Sequence, residues 1–379
     1  MIVQQEVSAT RKADSVEALA RACPTPALLI SRQQIRRNLD RLREALPGVE
    51  LFYAVKANSH PAVVETVAAA GLGFELSSIG ELDLVSAAEV DGSGLVSFNP
   101  VKTTAFLEAA HAAGLRVVAA DSADELEKIA RHAPESRVTI RVTVDNSGSE
   151  WPLARKFGVG PDQAGRLLDR ATELGLEAAG LTFHVGSQCL DVASWSRALE
   201  VCAAAWRAAR RVPERPPLIS LGGGFPVQHI KPLPELRAIG RHLIETSHRL
   251  FGPEVQLTAE PGRAVVGDAA HLVTTVIGVA EREGGRWIHL DAGVFNAFME
   301  SIDGFRYEVR PIDPRGGPPR PAILAGPSCD SVDVISHNTP LPATIRTSNR
   351  LIFANAGAYT LSYASHFNGF PPPEVVLID

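Results

Sequence analysis

Two periodicities alternate along the middle of the chain. Short runs rich in Val, Ile, Leu and Phe end at Lys56 (VELFYAVK), Leu76 (GFEL), Phe98 (LVSF), Ala120 (RVVAA), Val144 (VTIRVTV), His184 (GLTFH), Gly222 (LISLG) and Glu260 (VQLTAE). They are nearly continuous in apolar residues, the pattern of parallel strands covered on both faces. Between them lie stretches with apolar residues at helical spacing, among them PAVVETVAAAGL, TTAFLEAAHAAG, SADELEKIARHA and AGRLLDRATELG. Gly71, Gly114 and Gly175 close three of these, where a helix end favours a left-handed residue. The strand–helix alternation predicts an α/β unit, a (β/α)8 barrel, with an open doubly wound sheet as the alternative. The rhythm stops after Glu260. Beyond it, β-branched segments such as HLVTTVIGVA, RWIHLDAG and RLIFANAGAY, separated by turns including PRGGPPRP, predict a second, all-β domain. The expected division is 26–264 for the barrel, with 1–25 and 265–379 forming the β-domain.

Composition narrows the class. At 379 residues, 45% hydrophobic and 21% charged, the chain can bury a large core and is not a disordered segment. A net charge of −6 argues against a nucleic-acid binder, which carries a basic excess. No apolar run reaches membrane-spanning length, and the first 15 residues have no apolar signal core. The four cysteines, Cys23, Cys189, Cys202 and Cys329, are widely spaced without a Cys-x-x-Cys pair. They suit a reducing compartment, so a cytoplasmic enzyme is expected.

In a barrel of this kind the C-terminal ends of the strands share one mouth. The residues there are Lys56, Glu75, Arg141, His184, the run Gly222–Gly224 and Glu260, an unusual set for a structural core. A lysine at a strand end can snorkel to solvent; it is also the one side chain that forms a Schiff base. Three glycines after a buried strand make a tight turn, and they also leave amides bare for a phosphate. Neither they nor Gly158, Gly160 and Gly165 have dinucleotide or P-loop spacing. In AEPGRAVV, Glu260 and Arg263 flank a Pro-Gly turn, where a carboxylate can hold a ring nitrogen protonated and an arginine a phosphate oxygen. His184, beside Gly186 and Ser187, offers a flat ring to lie against a cofactor ring. Together these residues describe a pocket for pyridoxal 5′-phosphate. Arg207, Arg210 and Arg211 sit at an expected helix end, where cations suit the dipole, and read as structural.

At this point the chain resembles the fold-type III pyridoxal-phosphate decarboxylases, specifically the ornithine/diaminopimelate group. YAVKAN looks like the family's Schiff-base motif, HVGS its ring-stacking histidine motif, and GGGFP and EPGR its phosphate and pyridine-nitrogen motifs. GPSCDSVD, NAGAYT and HFNGF match further on, and their wording is closer to the ornithine branch. The resemblance implies an alanine-racemase-like TIM barrel with a C-terminal β-sandwich or barrel domain. It implies that Lys56 binds the cofactor, that His184 stacks on its ring and that Glu260 pairs with its nitrogen. Gly222, Gly223, Gly224, Ser187, Arg263 and Tyr359 would hold the phosphate, with Gly262 in the same turn as Arg263. Glu75 and Arg141 fall where the family has an acidic and a basic residue near the cofactor, and Lys156 matches a motif on a nearby loop. Cys329 would protonate Cα, and Asp330 would approach the substrate's distal amine. The Cys-Asp segment comes from the partner subunit in this family, so a homodimer with shared sites is implied.

Two departures bear on the substrate. Phe295 stands where ornithine decarboxylases carry tyrosine, and Asp303 is one position off the acidic residue of the distal-amine site. Phe367, in HFNGF, belongs to the same substrate region. The expected reaction is decarboxylation of ornithine or lysine to a diamine. A larger citryl- or carrier-linked amino acid of a siderophore or antibiotic pathway is the alternative. Diaminopimelate is disfavoured because that branch has Cys-Glu-Ser rather than Cys-Asp-Ser. A racemase would carry a tyrosine base where this chain has Cys329. A non-catalytic regulator or pseudoenzyme would lack the β-domain, the lysine or the cysteine.

Overall fold

A computed structural model describes residues 16–152, 156–211, 216–228, 232–312 and 317–379. It divides into two compact units, Ile35–Gly267 and Met1–Gln34 with Asp268–Asp379. The first 15 residues, part of the turn expected at 314–321, and Arg155 beside Lys156 lie outside the described residues.

In the larger unit, the eight apolar runs become Val49–Ala54, Gly73–Glu75, Leu95–Ser97, Val117–Ala120, Arg137–Arg141, Glu177–Thr182, Leu218–Ser220 and Gln256–Ala259. Each pairs parallel with its neighbour, and the last pairs with the first (Leu257 opposite Val49), closing a barrel. Alternate strand residues face inward. Phe52, Val96, Phe98 and Ala119 fill one side of the interior. The other side is polar: Arg141, Thr182, Ser220 and Thr258 stand in register on four adjacent strands.

Helices return the chain between strands, and their starts are capped by side chains. Ser78 accepts from the Glu81 amide, Thr103 from Phe106, Ser122 from Glu125 and Asp191 from Ala193. Such caps contribute about 1 kcal/mol each and fix where the strand-end loop must stop. At the other end Gly71, Gly114 and Gly175 take φ of 72°, 94° and 77°, as the helix-closing pattern required.

One buried ion pair holds the loop after the third barrel strand. Lys102 Nζ lies 3.2 Å from Glu125 Oε1, and both side chains are almost fully buried. It also donates to the Asn99 and Ala119 carbonyls, while Lys128 Nζ approaches Glu125 Oε2 at 2.6 Å. Burial draws the Lys102 ammonium down to about 8, and Glu125 opposes that. Glu125→Gln is therefore expected to cost about 3–5 kcal/mol, the penalty for leaving a buried charge without its partner. A urea midpoint unchanged from the parent would contradict this.

The smaller unit is built on a β-sheet, as the loss of helical period predicted, but it is not all-β: the helix Val16–Ala22 packs Ala20 into its core. Its sheet runs Val309–Pro311, Arg350–Phe353, Ala270–Arg282, Gly285–Leu290, Pro319–Ala325, Val334–Pro342. Ala27–Ile30 adds to it, antiparallel to Ala270–Arg282 and parallel to Glu374–Leu377. The sequence reading began the barrel at residue 26; this strand belongs instead to the β-unit. Four consecutive buried apolar residues carry no period that tells one sheet from the other. Its core includes Ala20, Cys23, Leu29, Val273, Ile312 and Ile352. Among the described residues, no helix is long and apolar enough to cross a membrane.

Candidate active site

Lys56 sits on a single 3-10 turn, Val55–Ala57, directly after the first barrel strand. Its Nζ donates to Glu75 Oε2 at 3.0 Å. Glu75 ends the second strand and is 1% exposed, whereas the Lys56 side chain is 49% exposed. The amine is thus anchored by a buried carboxylate yet open to a ligand. The other oxygen, Glu75 Oε1, is buried without a hydrogen-bond partner, a polar atom that the protein leaves for something else.

Arg141 and Glu260 complete a mixed-charge cluster at the strand ends. Burial draws the Arg141 guanidinium down, and the charges of Glu260, Glu75 and Asp121 oppose this. Glu260 is pushed up to about 7, first by burial and then by the Glu75 charge, against Lys56, the Ser220 hydrogen bond and Arg141. The sign of the resulting pH dependence follows. An unfolded glutamate loses its proton near 4.5, so between that pH and about 7 the folded, cofactor-free protein binds more protons than the unfolded chain. Glu260's contribution to stability then falls as pH rises through this window. Glu260→Gln should remove that slope, its urea midpoint gaining on the parent's from pH 5 to pH 8. Parallel pH curves for the two proteins would refute the assignment.

His184 follows the sixth barrel strand, and burial, then Arg141 and Lys56, push it down to about 3. Its Nδ1 accepts from the Gly186 amide at 2.9 Å. The ring is therefore neutral at working pH with its proton on Nε2. Asn146 Nδ2 donates to the His184 carbonyl at 2.9 Å and fixes the turn.

The glycine run is needed for packing as much as for open amides. Gly222 and Gly224 take φ of 68° and 90°. A Cβ on Gly222 would meet the Phe183 carbonyl at 2.2 Å, and one on Gly224 the Gly186 carbonyl at 2.3 Å. At Gly223 it would lie 3.0 Å from the Glu260 carbonyl and 3.1 Å from His184 Nε2. Gly262 lets the Glu-Pro-Gly-Arg turn press on the Lys56 turn, since a Cβ there would be 2.9 Å from Ala57 Cβ. Arg263, 5% exposed, donates from Nε to Ser187 Oγ at 3.4 Å and lies over the Trp151 ring at 5.7 Å. Lys156 lies over the Phe157 ring at 4.9 Å.

The β-unit gathers its own set. Cys329 is the one exposed cysteine of four, and its Sγ donates to Asn368 Oδ1 at 3.4 Å. The Phe295 and Phe367 rings are 4.4 Å apart. Three sequence-distant segments, around Phe295, Cys329 and Phe367, thus meet. Asp330 is exposed and accepts from the Val332 amide; Asp303, also exposed, ends the turn Met299–Asp303. Tyr359 takes φ of 65° and stacks on Tyr363 at 5.5 Å. Buried Asp333 accepts from the Val294 amide at 2.7 Å and the Ser328 amide at 3.0 Å, tying the Phe295 and Cys329 segments together. The sequence reading missed Asp333, although its acidic position inside GPSCDSVD was a signal.

The model of the pyridoxal-binding domain of pyridoxal-dependent decarboxylases matches residues 32–267. The chain belongs to the pyridoxal-dependent decarboxylase family. A lysine/ornithine decarboxylase of Selenomonas ruminantium is 34% identical over 359 residues, covering 94% of this chain and 90% of that protein. The crystal structure of the Vibrio vulnificus lysine/ornithine decarboxylase complexed with putrescine is 32% identical, with a TM-score of 0.84 over 96% of this chain and 97% of that one. The Paramecium bursaria Chlorella virus arginine decarboxylase bound to agmatine is 27% identical, with a TM-score of 0.87 over 95% and 98%. The barrel and the separate β-unit are those of this decarboxylase family.

The barrel mouth suits the family's cofactor. It offers an accessible amine on a buried carboxylate with one oxygen unpartnered, a neutral imidazole, a glycine run without side chains of its own, and a buried carboxyl whose ionisation a cationic ring nitrogen would favour. The three other cysteines are buried, and burial raises their thiols, Cys189 to about 11. They are packing residues.

Proposed function

We propose that this decarboxylase acts on an L-amino acid with a cationic distal group, ornithine or lysine first, and releases the diamine. The observation that carries the reading is the half-exposed Lys56 amine held by buried Glu75 at the barrel mouth. The substrate preference is supported by the relatives that act on lysine and ornithine.

Bound at this mouth, pyridoxal 5′-phosphate supplies an electron sink for the pair left when the Cα–carboxylate bond breaks. Lys56 would hold the cofactor through its amine. Glu260 would keep a proton at the ring nitrogen, and His184 would offer it a neutral ring that adds no charge. Gly222, Gly223, Gly224, Ser187, Arg263 and Tyr359 would bind the phosphate, while Gly262 lets the arginine turn approach the Lys56 turn. Glu75 and Arg141 balance charge around Lys56 and Glu260. Fixed orientation of the breaking bond contributes several kcal/mol in such sites.

Cys329 then gives its thiol proton to Cα. Asp330 faces the distal amine, Phe295 and Phe367 wall the aliphatic stem, and Asp303 adds a second carboxylate near the same end. The protein works as a homodimer in which the Cys329–Asp330 segment completes the partner's barrel site, and in a reducing cytoplasm that keeps Cys329 a thiol. Carbon dioxide release should be measured on ornithine, lysine, arginine, diaminopimelate and a citryl-diamino acid. Ornithine and lysine should release most; release confined to the citryl compound would move the assignment to the larger modified amino acids.

A further inference from the structure

We propose that Ser220 is the positioning residue that sets the orientation and ionisation of Glu260. It ends the seventh barrel strand, is fully buried, and donates its hydroxyl proton to Glu260 Oε1. The Gly222 amide donates to the same hydroxyl oxygen at 3.2 Å. An amide can only donate, so the serine oxygen must accept from it, and the single hydroxyl proton is left for the carboxylate. The Glu260 amide in turn donates to the Gly222 carbonyl at 3.0 Å. Carboxylate, serine and the first glycine of the run therefore form one closed unit.

The neighbours make the serine specific. Thr182 and Thr258 flank Ser220 in register on the adjacent strands, both buried, and their hydroxyls have no hydrogen-bond partner. A row of three side-by-side hydroxyls thus spends one on Glu260. A hydrogen bond donated to a carboxylate favours its charged form. It opposes the burial and the Glu75 charge that push Glu260 up. Ser220 keeps available the ionised carboxylate that a protonated ring nitrogen needs, and it fixes which oxygen faces the ligand. The inference rests on Glu260 being the ring-nitrogen partner.

The test has two readouts. The Glu260 carboxyl is titrated by carbon-13 NMR in the cofactor-free protein, assigned by its loss in Glu260→Gln. Cofactor dissociation is measured separately at pH 7. Ser220→Ala should move the Glu260 titration upward and weaken cofactor binding roughly tenfold or more, the scale of a charge-assisted hydrogen bond. Ser220→Thr, which keeps a hydroxyl, should restore both. Thr182→Val and Thr258→Val should leave both at the parent values. If Glu260→Gln weakens cofactor binding while Ser220→Ala changes neither readout, Ser220 has no such role. If Glu260→Gln itself leaves cofactor binding unchanged, the Glu260 assignment fails instead. Should Ser220→Ala not fold, Ser220→Cys, whose thiol is a weaker donor, takes its place: an upward Glu260 titration with weaker cofactor binding is expected, and both readouts at the parent values would overturn the proposal.

Discussion

Lys56→Ala protein should bind pyridoxal phosphate without the visible absorbance that a lysine-bound cofactor shows, and should release almost no carbon dioxide. No other lysine amine is described at these strand ends. The buried Lys102 is committed to Glu125 and two carbonyls. Removing the amine also strips Glu75 Oε2 of its donor and leaves that carboxylate 1% exposed. Cofactor affinity should therefore fall along with turnover. The loss in turnover should reach roughly 10²–10⁴-fold or beyond, the range for a positioned acid–base group, because the proposed role gives the amine the covalent link as well. A retained lysine-type absorbance band would end the assignment.

Cys329→Ala is expected to give the second large effect. Its thiol is exposed and donates to Asn368 Oδ1, and the proposed role is to give its proton to the substrate carbon. Turnover should fall by roughly 10²–10⁴-fold, with misprotonated product accumulating. If sites are shared between subunits, mixing Lys56→Ala with Cys329→Ala protein should recover about a quarter of parent turnover. Half the dimers are then mixed, and one of two sites in each is intact. No recovery in verified mixed dimers would place both residues in one subunit's site.

Much of this was legible in the sequence. The barrel strands were readable because strands buried on both faces are unbroken apolar runs, each stopped by a conspicuous polar or glycine residue. Lys56, Glu75, Arg141, His184 and Glu260 were singled out because strand ends share one mouth, and the structure places each at or just after the end of a barrel strand. Register was not readable. Nothing in LISLGGG says that Ser220 faces inward between two idle threonines, because that depends on how three parallel strands align. Asp333 was hidden for a similar reason: one of the amides it accepts from, that of Val294, is 39 residues away along the chain. The glycine run was read for its open amides, whereas its tightest constraint is backbone approach to Phe183 and Gly186.

The central claim is that this site breaks the Cα–carboxylate bond of a basic amino acid and protonates the same carbon. Proton NMR of L-ornithine and L-lysine turned over in deuterium oxide tests it most directly. The diamine should carry a single deuterium on the former α-carbon and form in step with carbon dioxide. Recovered amino acid deuterated at Cα, with no carbon dioxide, would contradict it.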